Sequence, residues 1–509
     1  MITIDELEKY LWDSAVILRG LIDAAAYKEF IFPLVFFKRI SDVYDEEYKK
    51  WFDEAKSYGN TDEDATEHAQ NQMKESAIQI PDGAHWMDVF NQTENIGQKL
   101  KETFMMIERA NQAKEIDGRM VGGLEGIFGD KNIWTNKAKM PDSTIRALLN
   151  HYNSRVLNLA ECPADEMGTG YEYLIGQFAD DAGHTAQEFY TNRTVVELMA
   201  EILQLKSGES IYDPTCGSGG MLIKSLTYLK DKGQEWRDVK VYGQELNADT
   251  SAIARMNCYL HGVHEFNIVN DDTLERPAFI KNGKVQQFDV VLANPPYSLS
   301  MATHNQFEHD KYGRNFLGNP PESCADYAFI QHILCSMNSD TGRCAILLPL
   351  GLLSKNIEQN MRTKLVESDL IEAIIGLGPN LFFNSPMEAM ILICKTHKSF
   401  KLKDKVLFIN AVQEVVRKNG ESKLESSHIN KISKAYFNQE NIEHFSKIVD
   451  KQDLLDNNAN LTISLYVMPE FKKDAILPLS ESMEQWKSCY SSVDKNVESL
   501  ICMLENGQV

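Results

Sequence analysis

Ile211-Tyr212-Asp213-Pro214-Thr215-Cys216-Gly217-Ser218-Gly219-Gly220 reads as a short apolar strand running into a glycine-rich turn and then a helix. Such a turn lets backbone approach a ligand closely, at the carboxyl end of a sheet, where α/β folds bind cofactors. Asp213, Thr215, Cys216, Gly217, Ser218, Gly219 and Gly220 are therefore candidate cofactor-binding residues. Two phosphate-binding motifs can be tested against the same stretch. A P-loop needs Gly-Lys-Ser/Thr, but Lys224-Ser225 follows Ile223. The dinucleotide pattern GxGxxG needs glycine at position 222, which is Leu222. Both fail.

Outward from this turn the chain keeps alternating apolar runs with helical periods, which predicts a parallel sheet in an α/β domain. Candidate strands are Ser210–Tyr212, Val239–Gly243, Phe266–Val269, Phe288–Ala293, Arg343–Leu348, Ile371–Gly376 and Met390–Cys394. The second ends in Gly243-Gln244-Glu245-Leu246-Asn247, where a carboxylate can accept from both hydroxyls of a ribose. The third ends in Asn270-Asp271-Asp272-Thr273, where Asp272 can take a hydrogen bond from an adenine or cap the following helix.

The fourth strand carries the decisive element, Phe288-Asp289-Val290-Val291-Leu292-Ala293-Asn294-Pro295-Pro296-Tyr297. An aromatic amine is a poor nucleophile because its lone pair is delocalised into the ring. The Asn294 side-chain oxygen and the Pro295 carbonyl can each accept one N–H. That turns the lone pair towards an electrophilic methyl and stabilises the positive charge developing on nitrogen. Pro295 and Pro296 fix the turn, and Tyr297 offers a face to a base swung out of the stack. No covalent nucleophile is required. The motif also occurs in glutamine and some RNA methyltransferases. A second Asn319-Pro320-Pro321-Glu322 follows no apolar strand and lacks the aromatic, so it reads as a loop. The strands and motifs together predict a class I S-adenosylmethionine-dependent methyltransferase: a Rossmann-like, seven-stranded α/β sheet over 161–400.

Residues 1–160 read as a helical domain: Leu7, Leu11, Ala15, Leu18 and Leu21 recur at helical spacing, and a strongly apolar helix follows to near Ile40. Residues 42–75 are rich in Asp and Glu and read as a solvated helix and loop, and a boundary is expected around Cys162–Asp165. Over 401–509 the chain is mixed, and it ends in a stripe of Met483, Trp486, Tyr490, Val493, Val497, Leu500 and Leu504. Its spacing alternates three and four, which predicts a helical tail, packed on its own domain or forming a seam for a partner's helix.

Among 509 residues the apolar stretch Phe30–Phe37 is too short to cross a bilayer, and no signal peptide is visible, so a cytoplasmic protein without membrane contact is expected. The nine cysteines show no CxxC pair, which suits reduced thiols. His261 and His264 have no cysteine or carboxylate at ligand spacing, so no metal is assigned. The net charge of −22 argues against a solitary DNA binder, which usually shows a basic face to phosphates.

The motifs together resemble the modification (methylation) subunit of type I restriction–modification systems. The likeness begins with Leu18-Arg19-Gly20-Leu21-Ile22-Asp23 and Tyr27-Lys28, similar to that family's N-terminal helical domain. Gln187-Glu188-Phe189-Tyr190-Thr191 resembles the segment that closes over the methionine end of the cofactor, with Asn192 where the family usually has proline. Asp213–Gly220, Glu245, Asp272 and Asn294–Tyr297 then follow in family order, with further likeness in Ala325-Asp326-Tyr327-Ala328-Phe329-Ile330-Gln331-His332 and Gly378-Pro379-Asn380-Leu381-Phe382-Phe383.

The resemblance implies transfer of a methyl group from S-adenosylmethionine to adenine N6 in DNA. It also implies two methylation subunits joined to one specificity subunit that reads the target, and a restriction subunit that can join them. Partner-supplied phosphate contacts would account for the acidic balance. The competing reading is a self-sufficient adenine methyltransferase that reads DNA through residues 400–509. Few arginines and no basic stripe in that region weigh against it.

Overall fold

The computed structural model describes residues 2–116, 119–181, 191–297, 299–301, 307–381, 388–418, 421–468, 482–483 and 486–487. Its centre is a nine-stranded sheet. In chain order the strands are β1 Ser210–Asp213, β2 Lys240–Glu245, β3 Phe266–Asn270, β4 Val290–Ala293, β5 Arg343–Pro349, β6 Ile371–Leu377, β7 Ala389–Lys395, β8 Lys405–Ala411 and β9 Ser446–Asp450. Their spatial order is β9-β8-β6-β7-β5-β4-β1-β2-β3. From β3 to β5 all neighbours are parallel, and β7 runs antiparallel between β5 and β6. Every strand expected from the apolar runs is present, its ends shifted by a few residues.

The strands read as near-continuous apolar runs because both faces of the sheet are covered. Along β4, Val290 and Leu292 pack into the core on one side, and Val291 and Ala293 into that on the other. Asp289 falls outside the strand, where its carboxylate accepts from the backbone and hydroxyl of Ser210 at the start of β1.

Two strands were not foreseen. β8 pairs parallel with β6, in register Ala373↔Leu407, and β9 pairs antiparallel with β8. The sheet thus continues past residue 400, where the sequence reading ended it. Val406-Leu407-Phe408-Ile409 is an ordinary buried strand core, hidden when composition was averaged over the long polar region around it.

The N-terminal region is helical, apart from a short hairpin pairing Lys114–Ile116 with Arg119–Val121. Helix Ile4–Leu18 opens with a Thr3/Glu6 capping box and buries Leu7, Leu11, Ala15 and Leu18. Leu21, counted in the same stripe, lies beyond the helix end and is 57% exposed. The next helix runs Tyr27–Ser57, well past Ile40, with its buried part over Phe30–Ser41.

Two helices from the later sequence join this core. Ala164–Asp181 contributes Met167, Tyr171 and Leu174, and Ala248–Leu260 contributes Ile253, Met256 and Leu260. A Cβ at Gly170 would meet Leu7 at 2.9 Å, and one at Gly168 would meet the His261 ring at 2.3 Å. These glycines let one helix pack tightly on both sides. Among the described residues no helix is long and apolar enough to cross a membrane. The terminal stripe lies outside the described residues, save Met483 and Trp486, both helical.

Candidate active site

β1 ends at Asp213, which is buried and accepts from the Thr215 N–H at 3.0 Å. The turn then crosses to β2, with Cys216 N–H donating to the Gln244 carbonyl at 3.0 Å. A Cβ at Gly243 of β2 would lie 3.0 Å from the Cys216 sulfur, so glycine there permits the crossing. Gly217 and Gly219 hold φ of +53° and +78°, conformations that L side chains rarely adopt. A Cβ at Gly217 would meet nothing within 4 Å, because its backbone faces open space.

Glu245 at the end of β2 braces this turn. One carboxylate oxygen accepts from Gly217 N–H at 3.0 Å and the other from Asn247 N–H at 2.8 Å. Asn270 at the end of β3 donates to the carbonyls of Glu245 and Leu246 at 2.9 and 2.8 Å. Leu246 is thereby held 63% exposed between the acidic strand ends, an apolar face that the sequence reading passed over.

Burial pushes the Asp213 carboxyl from its ordinary 3.8 to about 8; Glu245 adds to the shift and the Thr215 N–H opposes it. The Cys216 thiol is raised far above its ordinary value by burial, then by Asp213 and Glu245. It is a packing group, not a nucleophile.

At the end of β4 the Asn294 amide is fixed from both sides. Its Nδ2 donates to Thr191 Oγ1 at 3.0 Å, and its Oδ1 accepts from the Tyr297 hydroxyl at 2.6 Å. Tyr297 is raised well above its ordinary value by burial and by Asp326, so its hydroxyl stays protonated as a donor. A cavity of about 380 Å³ joins the two halves, with Asp213, Thr215, Gly217, Thr191 and Asn294 on its wall. That volume is in the range of small-molecule sites.

Cys216, Ser218 and Gly220 also line this cavity, while Gly219 caps the helix behind it. Its far side reaches Glu172, Arg193 and His261, none of them singled out as ligand-binding. Other predicted residues sit differently. Asn192 caps helix Arg193–Leu203 through Thr194 and donates to the Ser422 carbonyl, so its side chain holds structure together. Asp272 Oδ1 accepts from the N–H groups of Leu274 and Glu275, bracing a turn with no helix after it for the aspartate to cap. Pro295, Pro296 and Tyr297 shape the turn after Asn294 but are not on the cavity wall. Gln187, Glu188, Phe189 and Tyr190 lie outside the described residues.

Comparison with known proteins gives the chain's family. The family model described as N-6 DNA methylase matches residues 163–475, and that of the HsdM N-terminal domain matches 7–151. The type I restriction enzyme MpnII methylase subunit of Mycoplasma pneumoniae is 29% identical, covering 92% of this chain and 90% of that protein. The MjaVII methylase subunit of Methanocaldococcus jannaschii is 31% identical over 82% of this chain and 69% of its own. A crystal structure of the type I restriction-modification methyltransferase subunit from Streptococcus thermophilus superimposes with TM-score 0.77 at 29% identity, covering 92% of this chain and all of that one. With a strand–glycine-turn–helix site, an Asn-Pro-Pro-Tyr strand end and the matching N-terminal domain in one chain, this protein belongs to the N-6 DNA methylase family, among the methylase subunits of type I restriction enzymes.

Proposed function

We infer that this chain uses S-adenosylmethionine to methylate adenine N6 in DNA, at sites chosen by a separate specificity subunit. The observation that carries the reading is the Asn294 amide. Thr191 on its nitrogen and Tyr297 on its oxygen fix which way it faces, at the wall of the cavity shared with the Gly217 turn.

The cofactor fits the residues present. The open space before Gly217 admits a ligand against bare backbone. Asp213 would hold its ammonium group, and Glu245 its ribose hydroxyls, since each carboxylate oxygen keeps a further lone pair. Leu246 would cover its adenine ring, and the second oxygen of Asp272 would take the ring's amine. Thr191 would border the methionine end. When bound, S-adenosylmethionine supplies an electrophilic methyl group on sulfur.

The chain's own residues prepare the amine. Asn294 Oδ1 has two lone pairs, so it can keep the Tyr297 hydroxyl and accept an adenine N–H, while the Pro295 carbonyl accepts the other. The Tyr297 ring then lies beside the base, which must leave the duplex to arrive there.

Two such chains with one specificity subunit, and a restriction subunit able to join them, form the expected assembly, acting in the cytoplasm. Structural work on a type I restriction-modification system describes its complex assembly and conformational transition. The net charge of −22 fits a catalytic subunit whose DNA grip is largely supplied by another chain. The self-sufficient reading loses ground, because residues 405–411 and 446–450 are strands of the catalytic sheet.

Mass spectrometry of host DNA nucleosides, with the chain expressed alone and beside its specificity subunit, tests the proposal. N6-methyladenine is expected only with the partner. Its appearance from the chain alone would return target reading to this polypeptide.

A further inference from the structure

The segment following Asn294–Tyr297 carries a buried guanidinium that the reaction, as described so far, does not use. Arg314 and its partner Asp310 are 2% and 3% exposed in their side chains. All five N–H donors of Arg314 are engaged. Nε and one Nη2 hydrogen go to Asp310 Oδ1, at 3.1 and 2.7 Å. The others reach the carbonyls of Thr273 and Leu274, at 3.0 and 2.7 Å, and His332 Nδ1 at 3.2 Å. Guanidinium cannot accept, so Nδ1 is the acceptor and His332 carries its proton on Nε2. That Nε2 meets the Tyr212 hydroxyl at 3.1 Å.

These contacts converge on the cofactor loops. Thr273 and Leu274 form the turn after Asp272, and the Thr273 hydroxyl donates to the Pro214 carbonyl at 2.5 Å, inside the turn that begins at Asp213. Tyr212 is the residue before Asp213 on β1. The other end of the arginine's segment is tied to the target side. Ala325 N–H donates to the Leu299 carbonyl and Met301 N–H to the Glu322 carbonyl, so residues 299–301, just past Tyr297, are strapped to the stretch that contains Arg314.

A buried ion pair kept only for stability can often be replaced by apolar packing without loss. Here the hydrogen bonds instead run from one substrate-side segment to two separate cofactor loops. We propose that Arg314 is a positioning residue that couples the Asp213 and Asp272 loops to the segment beside Asn294–Tyr297, so that cofactor and target DNA tighten one another's binding. The proposal rests on the cofactor assignment above. Because coupling is reciprocal, it can be read from either ligand.

The test uses the complex with its specificity subunit and calorimetry with S-adenosylhomocysteine, which binds without reacting, with and without target duplex. Arg314→Lys keeps the charge opposite Asp310 but cannot donate to both carbonyls and His332 together. Thr273→Val leaves the ion pair intact and cuts only the link to Pro214. Each is expected to weaken cofactor binding about tenfold and to remove most of the mutual tightening. At saturating cofactor kcat should hold, with melting temperature confirming the fold. Loss of kcat with unchanged cofactor affinity would indicate a merely structural residue and overturn the proposal. So would a wild-type complex in which cofactor and duplex bind independently. Failure of the wild type to bind S-adenosylhomocysteine at all would instead bring down the cofactor assignment itself.

Discussion

Asn-Pro-Pro occurs twice in this chain, and the two copies have opposite fates. Asn294 ends β4, whose four residues are all buried between two cores, and its amide stands between Thr191 and Tyr297 at the cavity. Asn319 follows an irregular stretch, and its side-chain oxygen accepts from Asn315 within the same loop, while Gln331 holds the neighbouring Gly318 carbonyl. Two prolines restrict the backbone of the tripeptide in both places. Chemistry follows from what delivers it: a buried strand fixes the asparagine to the carboxyl edge of the sheet, where the glycine turn of the neighbouring strand also opens. A loop delivers it nowhere in particular.

The largest expected contrast comes from truncating each asparagine. Asn294→Ala should lower methyl transfer by roughly a hundredfold to a thousandfold while leaving cofactor affinity within a few-fold, measured by transfer of labelled methyl and by calorimetry. Asn319→Ala should leave transfer nearly unchanged. Completing the second motif with Glu322→Tyr should not restore an Asn294→Ala enzyme, and rescue would show that the tetrapeptide itself, not its strand, carries the activity.

A second difference is that only the first copy shares a cavity with Asp213. Asp213 sits near 8 in the free protein, raised from its ordinary 3.8 mainly by burial. The folded chain therefore binds this proton more tightly than the unfolded one, so the group's contribution to stability falls as pH rises between about 4 and 8. A cationic cofactor favours the ionised carboxylate. Its affinity should rise between pH 6 and 9, and binding near pH 7 should release a proton, seen as a buffer-dependent enthalpy. Asp213→Asn should flatten both trends; a slope that survives would place the titrating group elsewhere.

The smallest effect concerns the aromatic that Asn319-Pro320-Pro321-Glu322 lacks. Tyr297→Phe keeps the ring but removes the hydroxyl that orients the Asn294 oxygen. One such bond is worth about 1 kcal/mol net, so kcat should fall roughly fivefold with little change in KM for DNA. An unchanged kcat would assign Tyr297 to stacking alone.

Much of the site could be read along the chain because its parts are local. Strand, glycine turn and helix adjoin within Ile211–Gly220, and Glu245 declares itself by ending the next strand. What was not foreseen depends on contacts that sequence spacing does not fix. At Asn192 and Asp272 an Asx oxygen accepts from nearby backbone N–H groups, an engagement that sequence spacing does not reveal. Leu246, Asn270 and Arg314 went unassigned because their roles depend on contacts between strand ends or segments far apart in sequence. β8 and β9 were missed because a few buried residues were diluted in a polar region.

The sequence by itself determined the sheet's seven expected strands and the order of its motifs, since apolar periodicity and glycine turns are set by nearest neighbours along the chain. Only the tertiary structure decided that the sheet has nine strands, and that Thr191 and Tyr297 orient Asn294. It alone buried Asp213 deeply enough to move its titration, and it joined Arg314 directly to the turn after Asp272 and, through His332, to Tyr212 on β1. Burial and hydrogen-bond partners are properties of surfaces brought together by packing, and no local pattern fixes which surfaces will meet.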